Sequence, residues 1–162
     1  MIDAALLAQA EALVARCWDR RLMIATAESC TGGLVAAAIT AIAGSSQVLD
    51  RGFVTYTNAA KHDMVGVPVE MIAAYGAVSE PVARAMAEGA LRHSQAQIAV
   101  SVTGIAGPGG GSADKPVGLV WIGGARRGAE TMTVRHVFPG DRSAIRRSAV
   151  AAALEMLARA AG

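Results

Sequence analysis

Large aromatic residues, charged residues and cysteines are all scarce in this chain of 162 residues. Aromatic residues make up 4% and charged residues 17%, whereas hydrophobic residues reach 53%. That balance excludes a disordered chain, which has many charges and few apolar residues. The two cysteines, Cys17 and Cys30, form no CxxC motif, and the histidines His62, His93 and His136 are scattered without zinc-site spacing. We therefore expect a globular protein without a structural metal.

Long hydrophobic runs and strong net charge are also missing. The longest mild apolar stretch, residues 34–43, is too short and too rich in small residues to span a membrane. The first twenty residues lack the basic start and apolar centre of a signal peptide, so we expect a cytoplasmic protein with no membrane partner. The net charge of +2 gives no indication of nucleic-acid binding. Close arginine pairs such as Arg146-Arg147 are interpreted mostly as solvated surface.

Apolar periodicity predicts alternating helices and strands. Helical spacing indicates helices at residues 3–18, 34–42, 59–65, 69–75, 79–93 and 141–160, the first capped by Asp3. Short apolar or β-branched runs indicate strands at 22–27, 53–57, 98–102, 117–123 and 131–138, the last two as an antiparallel pair. Residues 47–51 fit either a helical turn or the start of a strand. The order predicts one domain over residues 1–162: an α/β protein, specifically a three-layer α/β/α sandwich with a mixed, mostly parallel sheet.

Three predicted strand ends carry loops that suit a binding site. Residues 29–33 lead into a helix, so their backbone N–H groups suit an anion, although helix capping by Ser29 or Thr31 also explains this loop. A second loop carries Tyr56 and Lys61. The third, residues 103–116, has enough glycine for a phosphate nest or a flexible turn, without a Walker or dinucleotide motif. Because parallel strands end at one edge, we expect the three loops to form one cleft.

The candidate nucleophiles are Ser29, Ser46 and Cys30, and no histidine accompanies them in a triad motif. Among 15 basic residues only Lys61 and Lys115 are lysines. A buried lysine can release its proton, whereas arginine cannot. Lys61 is therefore the best available base, provided that its surroundings lower its pKa from about 10.4. The alternative interpretation of Lys61 is an exposed helix residue. Tyr56 either orients Lys61 or relays a proton as a site residue, or it only packs in the strand.

Seven motifs in order resemble the CinA C-terminal domain family. They are TAESCTGG at 26–33, GSS at 44–46, GFVTY at 52–56, GAVS at 76–79, TGIAGP at 103–108, KPVG at 115–118 and FPGDR at 138–142. They cover essentially the whole chain. The resemblance implies a three-layer α/β/α fold and a nicotinamide-nucleotide amidohydrolase of the pyridine nucleotide salvage cycle. Such an enzyme converts the small-molecule substrate nicotinamide mononucleotide to nicotinic acid mononucleotide and ammonia, without a metal or other cofactor.

The resemblance also implies the site. Serine–lysine catalysis maps onto Ser46 or Ser29 with Lys61 and Tyr56, and substrate binding maps onto Thr31, Gly32, Thr103, Gly104, Gly107 and Arg142. Arg142 and residues 104–111 are expected to hold the nucleotide phosphate. The family pattern slightly favours Ser46, yet Ser46 and Lys61 flank the predicted strand 53–57, which spans roughly 17 Å. They meet only if residues 46–51 fold back or if two subunits share the site. Ser29 needs neither condition, and a relay through both serines is a third arrangement.

Two other functions fit the pattern. One is a non-catalytic nucleotide-binding module that regulates a partner, and the other is a scaffold whose glycine loop mediates oligomer contacts. Surfaces rich in small residues favour a homo-oligomer. Two departures from the family stand out: residues 108–110 lack the acid that often follows the proline, and the chain resembles the free-standing form of a family whose members often carry a further N-terminal domain.

Overall fold

Five strands and six α-helices make up the computed structural model, which describes residues 1–162. In chain order they are α1 (Ala4–Arg20), β1 (Ile24–Glu28), α2 (Leu34–Thr40), β2 (Leu49–Val54), α3 (Asn58–Val65), α4 (Val69–Tyr75), α5 (Glu80–Arg92), β3 (Ile98–Gly104), β4 (Leu119–Arg126), β5 (Met132–Val137) and α6 (Arg142–Ala161). A single 3₁₀ turn, Ser45–Gln47, precedes β2. None of the helices combines the length and the apolar character that crossing a membrane requires.

The strands form one sheet in the order β2-β1-β3-β4-β5. β1 pairs in parallel with both β2 and β3, so the carboxyl ends of these three strands meet at one edge. β4 runs antiparallel to β3 and to β5, which leaves four of the five strands pointing the same way. The expected mixed, mostly parallel sheet and the antiparallel pair at its end are confirmed.

Helices cover both faces of the sheet. α1, α2 and α6 pack on one face around a core that includes Leu13, Ile39 and Leu154. α3, α4 and α5 pack on the other face, around Val65, Ile72 and Met86. Every residue of β1 is buried because it lies between two neighbouring strands and two helical layers. The three-layer α/β/α architecture is therefore confirmed.

α1 shows how local sequence sets a helix in this fold. The Asp3 side chain accepts a hydrogen bond from the Leu6 N–H, as the N-cap prediction requires. The buried residues of α1 recur at helical spacing and face the core, and they are Leu6, Ala10, Leu13, Val14 and Cys17. The left-handed Arg21 then ends the helix, and its N–H donates to carbonyls of the last turn.

The position predicted for the second strand is wrong. The β-branched and aromatic run at 53–57 predicts a strand there, whereas β2 spans Leu49–Val54 and pairs with β1 from Ile24 to Glu28. The ladder to β1, not the local propensity, decides where the strand lies. Residues 47–51 complete the 3₁₀ turn and begin β2, so both readings of this segment hold in part. The chain after Val54 therefore leaves the strand and turns across the carboxyl end of β1.

This topology positions a ligand site. β2 lies on one side of β1, whereas β3, β4 and β5 lie on the other side. In open α/β sheets a crevice forms at the carboxyl ends of the strands where the order reverses in this way. The loops that follow β1, β2 and β3 all emerge at that edge.

Candidate active site

Ser29 and Lys61 lie in contact at the carboxyl edge of the sheet. Ser29 directly follows β1, and Lys61 lies on α3, whose N-cap Thr57 accepts a hydrogen bond from the Ala60 N–H. Lys61 Nζ is 3.0 Å from Ser29 Oγ. Ser29 is 9% exposed and Lys61 only 1% exposed, so both side chains are shielded from bulk water. The alternative of an exposed Lys61 is wrong.

The other partners of Lys61 are backbone carbonyls. Nζ donates to the Thr55 carbonyl at 2.9 Å and to the Tyr56 carbonyl at 3.5 Å. No ion pair joins Lys61 to a carboxylate. Desolvation by burial lowers the pKa of Lys61 from its ordinary value, and this effect is larger than the opposing effect of Cys30. A neutral amine has two N–H donors for the two carbonyls and one lone pair that can accept from the Ser29 hydroxyl.

Glu28 holds the turn that follows β1. Its buried carboxylate accepts hydrogen bonds from the N–H groups of Val35 and Ala36 in the first turn of α2. The helix has no side-chain cap at Gly33, so capping by Ser29 or Thr31 is a wrong interpretation of this loop. The N-terminus of α2 is also not free for an anion, because Glu28 already occupies it.

Other N–H groups of the same turn donate to no backbone carbonyl. The N–H groups of Ser29, Gly32 and Leu34 donate to backbone carbonyls. Those of Cys30, Thr31 and Gly33 do not. In addition, the hydroxyl of Thr31 is fully buried and makes no hydrogen bond. Donors without a partner are therefore concentrated directly after Ser29.

Gly32 and Gly33 allow this turn to form. Their φ angles of +58° and +100° lie in the left-handed region, which side chains with a Cβ rarely adopt.

Arg142 connects two of the three loops. It is the first residue of α6, and its guanidinium donates to the Gly107 carbonyl at 2.9 Å and to the Tyr56 hydroxyl at 3.3 Å. Arginine has five N–H donors, so further donors are left for a ligand. The Tyr56 side chain is 59% exposed and its hydroxyl contacts Arg142, while only its backbone contacts Lys61. Strand packing is therefore a wrong interpretation of Tyr56.

Thr103 and Gly104 shape the end of β3. The buried Thr103 hydroxyl donates to the Ala77 carbonyl at 2.8 Å, which connects β3 to the segment before α5. A Cβ at position 104 would lie 3.1 Å from the Cys30 sulfur and closer still to Val120, so glycine permits the first loop to pack here. Burial raises the pKa of the Cys30 thiol to about 11, so the thiolate needed for attack is scarce at neutral pH.

Ser46 lies at the opposite edge of the sheet. It is an exposed residue in the 3₁₀ turn before β2, whereas Lys61 follows the carboxyl end of that strand. Six strand residues separate the two edges by about 20 Å. Within one chain, residues 46–51 do not fold back along the strand, so the structure does not bring Ser46 to Lys61.

The chain matches the family model for the CinA C-terminal domain over residues 7–161. It belongs to the CinA C-terminal domain family. Among its relatives is a protein of Escherichia coli K12 named nicotinamide-nucleotide amidohydrolase PncC, which is 52% identical over 157 residues, or 97% of this chain and 95% of the relative. A protein of the same name from Enterobacter agglomerans is 53% identical over 91% of this chain and 88% of its own length.

Solved structures of CinA proteins share the fold. The competence/damage inducible protein CihA of Agrobacterium tumefaciens is 49% identical and superposes with a TM-score of 0.96, over 99% of this chain and 98% of that one. Some relatives are much longer. A CinA-like protein of Akkermansia muciniphila is 54% identical over 85% of this chain, yet the match spans only 33% of that protein.

Two residues of this CinA site were missed by sequence reasoning. Glu28 shapes the first loop, and Arg146 is not solvated surface: its Nε donates to the Cys30 carbonyl at 3.0 Å and a terminal nitrogen lies 3.4 Å from the Thr31 carbonyl. Arg147, its neighbour, pairs with the exposed Asp3 instead. The spacing of four between Arg142 and Arg146 puts both on one helix face, and that signal was available in the sequence.

Open cavities lie elsewhere in this CinA domain. One of about 480 Å³ lies between α3 and α4, beside His62 and Ile72, and one of about 410 Å³ lies beside Arg92 and Arg127. Neither includes Ser29 or Lys61. The serine–lysine pair therefore lies outside both cavities.

Proposed function

We propose that the chain is an amidohydrolase that converts nicotinamide mononucleotide to nicotinic acid mononucleotide and ammonia. The observation that carries this proposal is the buried contact of 3.0 Å between Ser29 Oγ and Lys61 Nζ, with no carboxylate to hold the lysine charged. The names of relatives that are 52–53% identical over nearly the whole chain supply the substrate. This geometry supports acyl transfer through a serine nucleophile and a lysine base.

The first step is attack by Ser29. Neutral Lys61 accepts the hydroxyl proton as Oγ bonds to the carboxamide carbon, and the carbonyl π electrons move to its oxygen. Burial supports this role because it lowers the pKa of Lys61 and so raises the neutral fraction near pH 7. The Thr55 and Tyr56 carbonyls fix the amine for the transfer.

The negative oxygen of the tetrahedral intermediate needs donors. The N–H groups of Cys30 and Thr31 directly follow the nucleophile and donate to no backbone carbonyl. We assign them to this oxyanion, with the Thr31 hydroxyl as a further donor. Donors fixed in advance where charge develops stabilise the transition state more than water does.

Collapse of the intermediate expels ammonia. Protonated Lys61 gives its proton to the leaving nitrogen as the C–N bond breaks, which produces an acyl ester on Ser29. Lys61 then accepts a proton from water, whose oxygen attacks the ester carbon. The C–Oγ bond breaks, and Ser29 regains its proton from Lys61. The cycle uses no metal and no cofactor.

The mononucleotide phosphate is assigned to Arg142 and the glycine-rich loop. Arg142 contacts Gly107 and still has N–H donors without a protein acceptor. The N–H groups of residues 109–111 also lack a backbone acceptor. Four further residues act by shaping the loops that follow β1 and β3: Thr31 and Gly32 in the first, and Thr103 and Gly104 in the second. The exposed Tyr56 positions Arg142 through its hydroxyl.

Ser46 is the second candidate nucleophile, and only a partner subunit can bring it to Lys61. We propose Ser29 as the nucleophile because it needs no such partner.

The experiment is an ammonia assay on a panel of pyridine nucleotides with the wild type and four variants. We expect Ser29→Ala, Lys61→Ala and Lys61→Arg to lose ammonia release by on the order of 1,000-fold or more while remaining folded. Arginine fails because it keeps its proton. We expect Ser46→Ala to retain most of the activity. An active Lys61→Arg variant would remove lysine from the role of base, and tight binding of the mononucleotide by a wild type that forms no ammonia would favour the regulatory module.

A further inference from the structure

Arg146 contacts the turn that follows Ser29. We infer that Arg146 is a positioning residue, which holds the Cys30–Thr31 peptide so that its N–H is available to the oxyanion. This inference rests on the proposed function, because it concerns the same amide hydrolysis.

The contacts of Arg146 select one short segment. Its Nε donates to the Cys30 carbonyl at 3.0 Å, and its terminal nitrogen donates to the Thr31 carbonyl at 3.4 Å. The guanidinium is a planar fork of donors, so it can hold two successive carbonyls in one orientation. α6 and this turn are more than 100 residues apart in sequence, and the half-buried Arg146 side chain joins them.

The contact between Arg146 and the Cys30 carbonyl also fixes the direction of the Thr31 N–H, because both groups belong to one peptide. In a trans peptide the C=O and N–H groups point in opposite directions. Because the Cys30 carbonyl points to Arg146, the Thr31 N–H of the same peptide points away from the guanidinium. That N–H has no acceptor in the protein, and the buried Thr31 hydroxyl beside it has none either.

The next peptide is fixed from both ends. Its carbonyl, that of Thr31, faces Arg146, and its N–H, that of Gly32, donates to the Ser29 carbonyl at 3.0 Å. The turn therefore cannot rotate the Thr31 N–H away without breaking a contact with Arg146. A cation bonded to the Cys30 carbonyl also polarises that peptide, which strengthens its N–H as a donor.

Structural anchoring alone is the competing explanation. Arg126 and Arg127 also bind backbone carbonyls, at the ends of α6 and α5, far from Ser29 in the chain. The two explanations predict different kinetics. Loss of an oriented oxyanion donor lowers kcat with little change in KM, whereas loss of an anchor lowers stability.

The test compares Arg146→Met, Arg146→Lys and the control Arg147→Met by steady-state ammonia release and thermal unfolding. We expect Arg146→Met to lower kcat by about 100-fold, the usual effect of losing one oxyanion donor. KM should stay within a factor of about three, since ground-state binding does not use this donor. Arg146→Lys should recover part of kcat, because an ammonium can still bond the Cys30 carbonyl. Arg147→Met should match the wild type, since Arg147 pairs only with the exposed Asp3.

Hydrogen exchange at residues 29–33 supplies a readout that does not depend on activity. It should be faster in Arg146→Met than in the wild type and unchanged in Arg147→Met. An unchanged kcat in Arg146→Met, or a loss confined to KM, overturns the inference while the proposed function stands. A wild type that forms no ammonia from the mononucleotide overturns the proposed function and this inference together.

Discussion

At the scale of single residues, the proposed chemistry depends on where one lysine is buried. Arginine supplies nearly all the positive charge of this chain, and Lys61 and Lys115 are the exceptions. Lys61 is 1% exposed and faces a serine and two carbonyls. A permanently charged side chain in that place would carry the full cost of burial, whereas lysine can give up its proton.

The lowered pKa of Lys61 predicts the pH dependence of the rate. In the proposed mechanism only the neutral amine accepts the Ser29 proton, so kcat/KM should rise with pH through the lysine pKa of the free enzyme and then level off. Because burial lowers that pKa, the rise should be centred below 10.5, its ordinary value. A pH–rate profile for the mononucleotide checks this. A rise centred at the ordinary lysine value would show that burial does not prepare the base.

The same shift predicts how stability depends on pH. Between the lowered pKa of folded Lys61 and about 10.5, the unfolded chain binds more protons than the folded one, so the free energy of unfolding rises with pH in that window. We expect Lys61→Met to remove this rise. Urea unfolding of both proteins at several pH values gives the difference curve. Both proteins contain the buried thiols Cys17 and Cys30, so their titration largely cancels. A flat difference curve would contradict the burial of a neutral amine.

At the scale of elements, sequence reasoning succeeded where local physics decides the structure. The helices were found because buried residues recur at helical spacing and because Asp3 caps α1. The second strand was misplaced because pairing with β1 outweighs the aromatic and β-branched run at 53–57. The misplaced residues matter to the site, since the Thr55 and Tyr56 carbonyls that bind Lys61 belong to the turn after β2.

The same contrast holds for the site. Ser29, Lys61 and Arg142 were predicted from loops at strand ends and from motifs, and the chain folds them toward one edge of the sheet. The role of Arg146 was not predicted: its spacing of four from Arg142 places it on the same helix face, but its partners Cys30 and Thr31 lie more than 100 residues away in the chain. Glu28 was missed because nothing in the local sequence shows that a carboxylate at a strand end will accept hydrogen bonds from the first turn of the next helix, α2.

The glycine-rich loop carries a prediction at this scale. Lys115 Nζ donates to the Tyr75 carbonyl at 2.6 Å, at the end of α4, and so connects the loop to the segment before α5. Lys115→Met should loosen the loop and raise KM for the mononucleotide by on the order of tenfold, with kcat nearly unchanged, since a charge-assisted hydrogen bond of about 1.5 kcal/mol is lost.

Gly76→Ala perturbs the same contact from the other side. A Cβ there would lie 2.7 Å from Lys115 Nζ, and the φ of +79° disfavours alanine, so KM should rise in this variant too. Asp114→Asn, in the same exposed loop, is the matched control and should leave KM unchanged. Steady-state kinetics of the three variants test this prediction. An unchanged KM in Lys115→Met would mean that the contact between Lys115 and the Tyr75 carbonyl does not shape the proposed phosphate site.

At the scale of the whole molecule, the proposed site draws on all three layers. The sheet supplies Ser29 at the end of β1, one helical layer supplies Lys61 on α3, and the other supplies Arg142 and Arg146 on α6. The order β2-β1-β3 places these contributions around one edge. Ser46 lies at the other edge, so the whole-molecule question is whether a homo-oligomer brings it to Lys61 of a partner.

Mixed oligomers answer that question. If Ser29 and Lys61 act within one chain, each chain of a Ser29→Ala and Lys61→Ala mixture lacks one of the two groups. Co-expression of the two variants with different tags, followed by purification through both tags, isolates such mixtures. We expect them to remain inactive. Recovered ammonia release would place the reacting serine and lysine on different subunits.

A second pair of variants isolates Ser46. If Ser46 acts from a partner, Ser46→Ala is inactive alone and regains activity when mixed with Lys61→Ala, since one site then has both groups. We expect instead that Ser46→Ala is active alone and that mixing adds nothing. A chain that yields no doubly tagged species is monomeric, and an exposed serine about 20 Å away along β2 then has no route to Lys61. Each result therefore assigns the nucleophile, because in each of them only one serine can reach the buried amine.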